Sequence, residues 1–200
     1  MVGDIRVDGL SKRFGLHQVL DNVSFRLDAG GRYCLMGPSG VGKTSLLRLM
    51  MGLEQADSGR ILGVDPRALS VMFQEDRLSE TLNPVENVAL VHPDRRVSKP
   101  WIREELSELL PERSLAQPVR ELSGGMRRRV SLACAVLTPS TLILLDEPFT
   151  GLDWDTKHQV VGYLRSRTAG RTVLAATHGR DDAGLLDAHT LTLSSSDGKK

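Results

Sequence analysis

The sequence is poor in cysteine: Cys34 and Cys134 are the only two in 200 residues, each in an apolar context. That argues against a disulfide framework and against a cysteine metal site, and fits two reduced, packed thiols. A surplus of either charge is also missing. Lys and Arg number 26 against 25 Asp and Glu, a net charge of +1, so no global field would recruit nucleic acid or an anionic membrane. No apolar run approaches the roughly 18 residues of a membrane span. The opening MVGDIRVDGL has an early acid and no apolar block, so no signal peptide is expected. Internal repeats are missing too. What is present, 40% hydrophobic and 26% charged residues, suits one domain with a real core, or one domain with a modest insertion.

Alternation at Ile5 and Val7 and, after a turn, at Val19, Val23, Phe25 and Leu27 predicts antiparallel strands. Asp28 to Gly31 reads as a turn before a short strand, Tyr33 to Met36. A glycine-rich loop follows, then a helix from Thr44 to Met51 that Gly52 ends. Val71 to Phe73 predicts another strand, leading to Gln74. Between about residues 79 and 121 the pattern turns to helix and loop. Pro100 opens a helix with Ile102, Leu106, Leu109 and Leu110 on one face, and Pro111 stops it. A second helix is predicted from Met126 to Leu137. Two all-apolar strands, Thr141 to Leu145 and Thr172 to Ala176, suit a parallel sheet. The tail SSSDGKK is polar and expected to fray.

GPSGVGKT, from Gly37 through Pro38, Ser39, Gly40, Val41, Gly42 and Lys43 to Thr44, satisfies G-x-x-x-x-G-K-[ST] between a strand and a helix. Its backbone N–H groups would cradle a β-phosphate at a helix N-terminus. Lys43 would reach the β- and γ-phosphates, Thr44 would ligate Mg²⁺, and Ser45 would touch the α-phosphate. Alone, the loop does not separate a kinase or a GTPase from other nucleotide enzymes. LILLDEP adds two acids after apolar residues: Asp146 would hold Mg²⁺, and Glu147 would orient and deprotonate an attacking water. Gln74 would offer its amide oxygen to Mg²⁺ or that water. By itself a loop glutamine means nothing, and a histidine closing a strand, as His178 does, is more often capped or in the core.

With LSGGM, Leu122 to Met126, lying between those two segments, the chain resembles the ATP-binding cassette family along essentially its whole length. Phe14 looks like the aromatic that stacks on adenine, GPSGVGKT like the Walker A motif, Gln74 like the Q-loop and LSGGM like the signature. LILLDEP looks like Walker B with its catalytic glutamate, Asp153 in GLD like the D-loop, and His178 like the switch histidine. The resemblance implies an α/β fold: a P-loop NTPase core of cassette type with an N-terminal antiparallel β subdomain and a small inserted α-helical subdomain. It implies one domain over residues 1–200, the core at about 1–78 and 121–200, the helical part at about 79–120, and one cassette. It also implies ATP and Mg²⁺ as cofactors and a head-to-tail dimer, of two such chains or with a second cassette. Ser123, Gly124 and Gly125 would then hold the γ-phosphate of the other subunit's ATP. Three departures stand out: FTGLD lacks the usual serine and alanine, Cys134 replaces a frequent arginine, and MRRRV lacks a frequent glutamine. Arg127, Arg128 and Arg129 are expected on a solvated helix face.

The FQEDRL segment and ENVAL look most like importer subunits of the nitrate, sulfonate, taurine and thiamine-precursor group. That implies a cytoplasmic ATPase held on the inner face of the cell membrane by integral permease subunits, with an external solute-binding protein and no nucleic acid. The alternative is a soluble cassette ATPase with a non-transport partner, such as a repair or assembly factor. Long insertions or a basic surface would favour it, and neither is seen.

Overall fold

Two sheets of opposite character organise the chain, and the side-chain pattern of each strand fits its sheet. The computed structural model describes residues 3–194; from Ser195 onward the tail expected to fray lies outside the described residues. The element order is β1 (Ile5–Phe14), β2 (His17–Leu27), β3 (Arg32–Met36), α1 (Lys43–Met50), β4 (Ser58–Leu62) and β5 (Leu69–Met72). Then come α2 (Pro84–Val91), α3 (Lys99–Ser107), α4 (Gly124–Leu137), β6 (Leu142–Asp146) and α5 (Trp154–Arg167). β7 (Thr172–Thr177), α6 (Asp182–Leu186) and β8 (His189–Thr192) complete it.

β1 pairs antiparallel with β2 on one side and β4 on the other. Only one face of that sheet is apolar, so the strands alternate, with Ile5, Val7 and Leu10 buried. The second sheet runs β5-β6-β7-β3-β8, every pairing parallel. Covered on both faces, β6 and β7 are buried at every position, which the unbroken apolar runs require. Leu142, Leu144, Leu174 and Ala176 face the core shared with α1 and the antiparallel sheet. Ile143, Leu145, Val173 and Ala175 face the other way, towards α4, α5 and the helical segment.

The helical segment is built on caps. Asn83 and Glu86 form a reciprocal capping box at the start of α2, with Pro84 in the first turn. Ser98 caps α3, which starts one residue before Pro100 and stops at Ser107, short of Pro111. Leu109 and Leu110 therefore lie beyond the helix, yet both are buried beside Ile102 and Leu106, so the expected apolar cluster holds while the expected helix end does not. α4 begins at Gly124, two residues earlier than expected, because Ser123 is its cap. Strand and helix ends elsewhere shift by one or two residues. The helices of this segment pack in the same apolar cluster as α4, with no separate core. Cys34 is buried in β3 and Cys134 half-buried on α4; both are free, and burial pushes each thiol up to about 12.

Leu144, with no exposure, fills the centre of β6. Leu144→Ala is expected to cost about 3 kcal/mol through the cavity it leaves. Urea unfolding would read this as a lower midpoint at unchanged slope; an unchanged midpoint would contradict the packing described here.

Candidate functional site

Four loops leave one edge of the parallel sheet, because its strands end almost level. Met36 pairs with Thr177, Asp146 with Ala176, and Met72 with Leu145. The next residues along each strand are the glycine loop, His178, Glu147 and the Phe73-Gln74 segment. Four separate stretches of sequence thus converge at the carboxyl ends of parallel strands, where α/β folds place ligands.

A cleft of about 330 Å³ opens there, lined by Phe14, His17, Val19, Ser39, Gly40, Gly42, Lys43, Thr44, Ser45, Gln74 and Glu147. Its floor is the start of α1. Gly42 sits in the N-cap position at φ 106°, in a left-handed conformation, and no side chain caps the helix. The first-turn N–H groups therefore point into the cleft with the positive end of the helix dipole. A Cβ at Gly42 would lie 2.8 Å from Val19 Cγ1, so both the conformation and the space demand glycine. Lys43 is buried; its Nζ donates to the carbonyls of Gly37 (2.8 Å) and Pro38 (3.2 Å) and lies 3.9 Å from Glu147 Oε1. Gly37, Pro38 and Val41 shape the loop from behind, with Val41 packed in the core.

Glu147 is held by its backbone. Its φ is 51°, an uncommon conformation for a residue with a side chain, and its N–H donates to Ala176 O at 2.8 Å. Its Oε2 is 2.7 Å from His178 Nδ1 and accepts from the Thr150 hydroxyl at 3.4 Å. The carboxylate thus stands between Lys43 and His178, in reach of a water in the cleft. Behind it, Asp182 is buried against the Thr177 hydroxyl and the Lys157 ammonium, and Thr177 Oγ1 accepts from Gly179 N at 3.2 Å, which fixes the chain at His178.

Asp146 is buried and burial raises its carboxyl above the usual range, opposed by a hydrogen bond from Thr44 and by the Arg128 and Lys43 charges, while Glu147 adds to the rise. Its Oδ1 has no hydrogen-bond partner. An orphaned, buried carboxylate oxygen beside the Thr44 hydroxyl is what a hard divalent cation with oxygen ligands would satisfy. Gln74 lines the adjoining 410 Å³ cavity with Thr44 and Asp146, so the three expected Mg²⁺ ligands share one space.

The remaining expected residues are elsewhere. Ser123, Gly124 and Gly125 begin α4, where Ser123 Oγ accepts from Met126 N at 3.3 Å, and none of the three lines the cleft. Asp153 caps α5: its carboxylate accepts from the Thr156 N–H (2.9 Å) and hydroxyl (2.8 Å), and these bonds lower its pKa. It too is absent from the cleft.

The arginine run contradicts its expected solvated face. Arg128 is buried, and Arg129 is half-buried and donates to the carbonyls of Gly125 and Leu109. The Arg128 guanidinium donates to Phe73 O and Gln74 O (2.9 Å each), to Asp76 Oδ1 (3.1 Å), and to the carbonyls of Asp146 and Glu147. Triplet charge implied exposure, but the start of α4 is covered by two loops whose carbonyls need donors. His17 was also missed as a cleft residue. The signal was there: Phe14-Gly15-Leu16-His17 is a two-residue hairpin turn, and its register sets His17 directly opposite Phe14.

The family model described as "ABC transporter" matches residues 20–150. A sulfate/thiosulfate import ATP-binding protein CysA of Neisseria meningitidis is 35% identical over 198 residues, covering 90% of this chain and 56% of that protein. A Nod factor export ATP-binding protein I of Ralstonia nicotianae is 36% identical over 194 residues, covering 90% of this chain and 60% of that one. The chain thus spans a little over half the length of these curated relatives. A solved bacterial Atm1-family ABC exporter with ATP bound superimposes at a TM-score of 0.82, covering 96% of this chain and 37% of that one; at 23% identity this speaks for the fold alone.

Removing the buried charge at Asp146 separates stability from function. Because burial raises that pKa, the folded chain keeps the proton to higher pH than the unfolded chain. Its contribution to stability therefore falls as pH rises through the window above the ordinary carboxylate range. In EDTA near neutral pH, Asp146→Asn is expected to melt at or above the parent's midpoint, and to gain less than the parent when MgATP is added. A clearly lower midpoint in EDTA would contradict this.

Proposed function

The chain belongs to the ABC transporter family, and on that premise we propose that it is the ATP-hydrolysing subunit of a small-solute importer. The observation that carries the reading is Glu147, held 2.7 Å from His178 and 3.9 Å from Lys43 at the edge of the phosphate cleft. Phe14 would stack on the adenine, with His17 beside it. The loop from Gly37 to Thr44 would hold the β- and γ-phosphates, with Ser45 at the α-phosphate. Thr44, Asp146 and Gln74 would hold Mg²⁺, which would neutralise charge between the β- and γ-phosphates when bound.

Glu147 would take a proton from a water as its oxygen bonds to the γ-phosphorus. The bond from that phosphorus to the β–γ bridging oxygen breaks, leaving ADP and phosphate. Lys43 and His178 would stabilise charge on the γ-phosphoryl oxygens. Ser123, Gly124 and Gly125, absent from their own chain's cleft, suit a role on a second chain. Two cassettes would then enclose two ATP molecules head to tail, with Asp153 near the shared boundary. Loss of the bridging phosphate would let the pair open.

Among the described residues no helix is long and apolar enough to cross a membrane. As a family importer subunit, the chain would work at the cytoplasmic face through permease subunits, with an external solute-binding protein delivering cargo. The importer relative and the Gln74 segment support import; the export relative supports the opposite direction, and vesicle transport decides between them. Co-expression with the cognate permease is expected to yield a membrane-bound complex in which solute accumulation needs ATP. A chain that stays soluble and shows no coupled transport would overturn the importer reading.

Glu147→Gln is expected to trap an ATP-bound dimer, visible as a doubled mass in size-exclusion chromatography with light scattering, with hydrolysis down about a thousandfold or more. Lys43→Ala is expected to weaken ATP binding instead. Equal dimerisation of Glu147→Gln with and without ATP would count against the sandwich.

A further inference from the structure

We infer that Arg128 is a positioning residue for hydrolysis, which sets Gln74 and Glu147 relative to one another by tying their two loops to α4. The inference rests on the ATPase reading above and assigns within it a part to a residue outside the cleft.

β5 and β6 are neighbouring strands whose last ladder pair is Met72 with Leu145. Beyond it the two chains separate, and each carries one residue of the chemistry: Gln74 follows β5 and Glu147 follows β6. Arg128 takes over where the ladder stops. One terminal nitrogen donates to Phe73 O, Gln74 O and Asp76 Oδ1, and the other to Asp146 O and Glu147 O at 2.7 Å. Four of the five acceptors are backbone carbonyls, so the contact fixes the course of both loops and not merely a side chain.

Burying a guanidinium costs several kcal/mol unless its donors are met. At 6% side-chain exposure, Arg128 has the Asp76 carboxylate, itself 22% exposed, and four carbonyl dipoles to meet its two terminal nitrogens, while its buried Nε has no hydrogen-bond partner. The planar fork is what allows two loops to be held at once; an ammonium would concentrate the charge at one point. The bond to Glu147 O also fastens the residue held at φ 51°, whose carboxylate direction depends on that backbone. Arg128 lines neither the cleft nor the 410 Å³ cavity beside it; it reaches Gln74 and Glu147 through the two loops, and its charge, which Arg128→Lys keeps, also bears on Asp146.

Arg128→Lys keeps the charge and loses the fork. Its kcat is expected to fall about tenfold to a hundredfold, as misplaced reacting groups do, with the Kd for ATP within about twofold of the parent. A role in folding alone would not split the two constants. In a Gln74→Ala background the same change is expected to cost at least about threefold less, since one of the two tied residues is already gone. An unchanged kcat, or an equal loss in both backgrounds, would overturn the inference. Should Arg128→Lys melt below the assay temperature, Asp76→Ala removes one of the five acceptors and leaves Arg128 in place. There, a kcat down about threefold at constant Kd supports the inference, and an unchanged kcat overturns it. A parent chain that binds ATP and releases no phosphate defeats the ATPase reading itself. A parent that hydrolyses while Arg128→Lys keeps its kcat defeats only the part given to Arg128.

Discussion

The site exists because the strands of one parallel sheet run in near-level register. A one-residue slip of β6 against β7 would turn Asp146 and Leu144 onto the face now held by Ile143 and Leu145. It would bury a carboxylate in the apolar layer and draw Glu147 away from His178. That register is itself enforced by packing, because β6 and β7 are covered on both faces and every residue has an assigned side. Hydrophobic burial in the middle of the sheet therefore sets the geometry of charged groups at its edge.

Against that framework the polar parts divide by how they are restrained. The glycine loop is held locally, by the short strand before it and the helix after it, and its lysine is tethered to the loop's own carbonyls. Glu147 and His178 are held at longer range, by the Asp182, Thr177 and Lys157 contacts behind them and by Arg128 from the side of α4. On the proposed reading the first arrangement would hold phosphate; the second sets the direction of a carboxylate. The two meet where Lys43 and Glu147 lie 3.9 Å apart.

This division also explains what could be read from the sequence. Local signals were legible: the glycine loop in its strand-to-helix setting, the apolar strands before Glu147 and His178, and the α/β class they imply. Asp146, Thr44 and Gln74 were expected together and do share one space. The caps were partly hidden. α4 starts at Gly124 and α3 at Lys99 because Ser123 and Ser98 cap them, whereas the sequence pattern favoured Met126 and Pro100. Arg128 was misjudged because charge in a run suggests water, while its partners lie 52 to 55 residues away on one loop and 18 and 19 away on the other. Nothing local announces such a contact. The direct pairing of His17 with Phe14, by contrast, followed from a two-residue turn in plain view.

The left-handed backbone of Glu147 has one more consequence. Glycine or asparagine would occupy that conformation with less strain, and neither could take a proton from water. At this position the fold is therefore less stable than the same fold with an inert residue would be. Selection for thermal robustness alone would drift towards a better-folded protein that holds its nucleotide and does nothing with it. On the proposed reading, the strain at this position serves turnover and not durability.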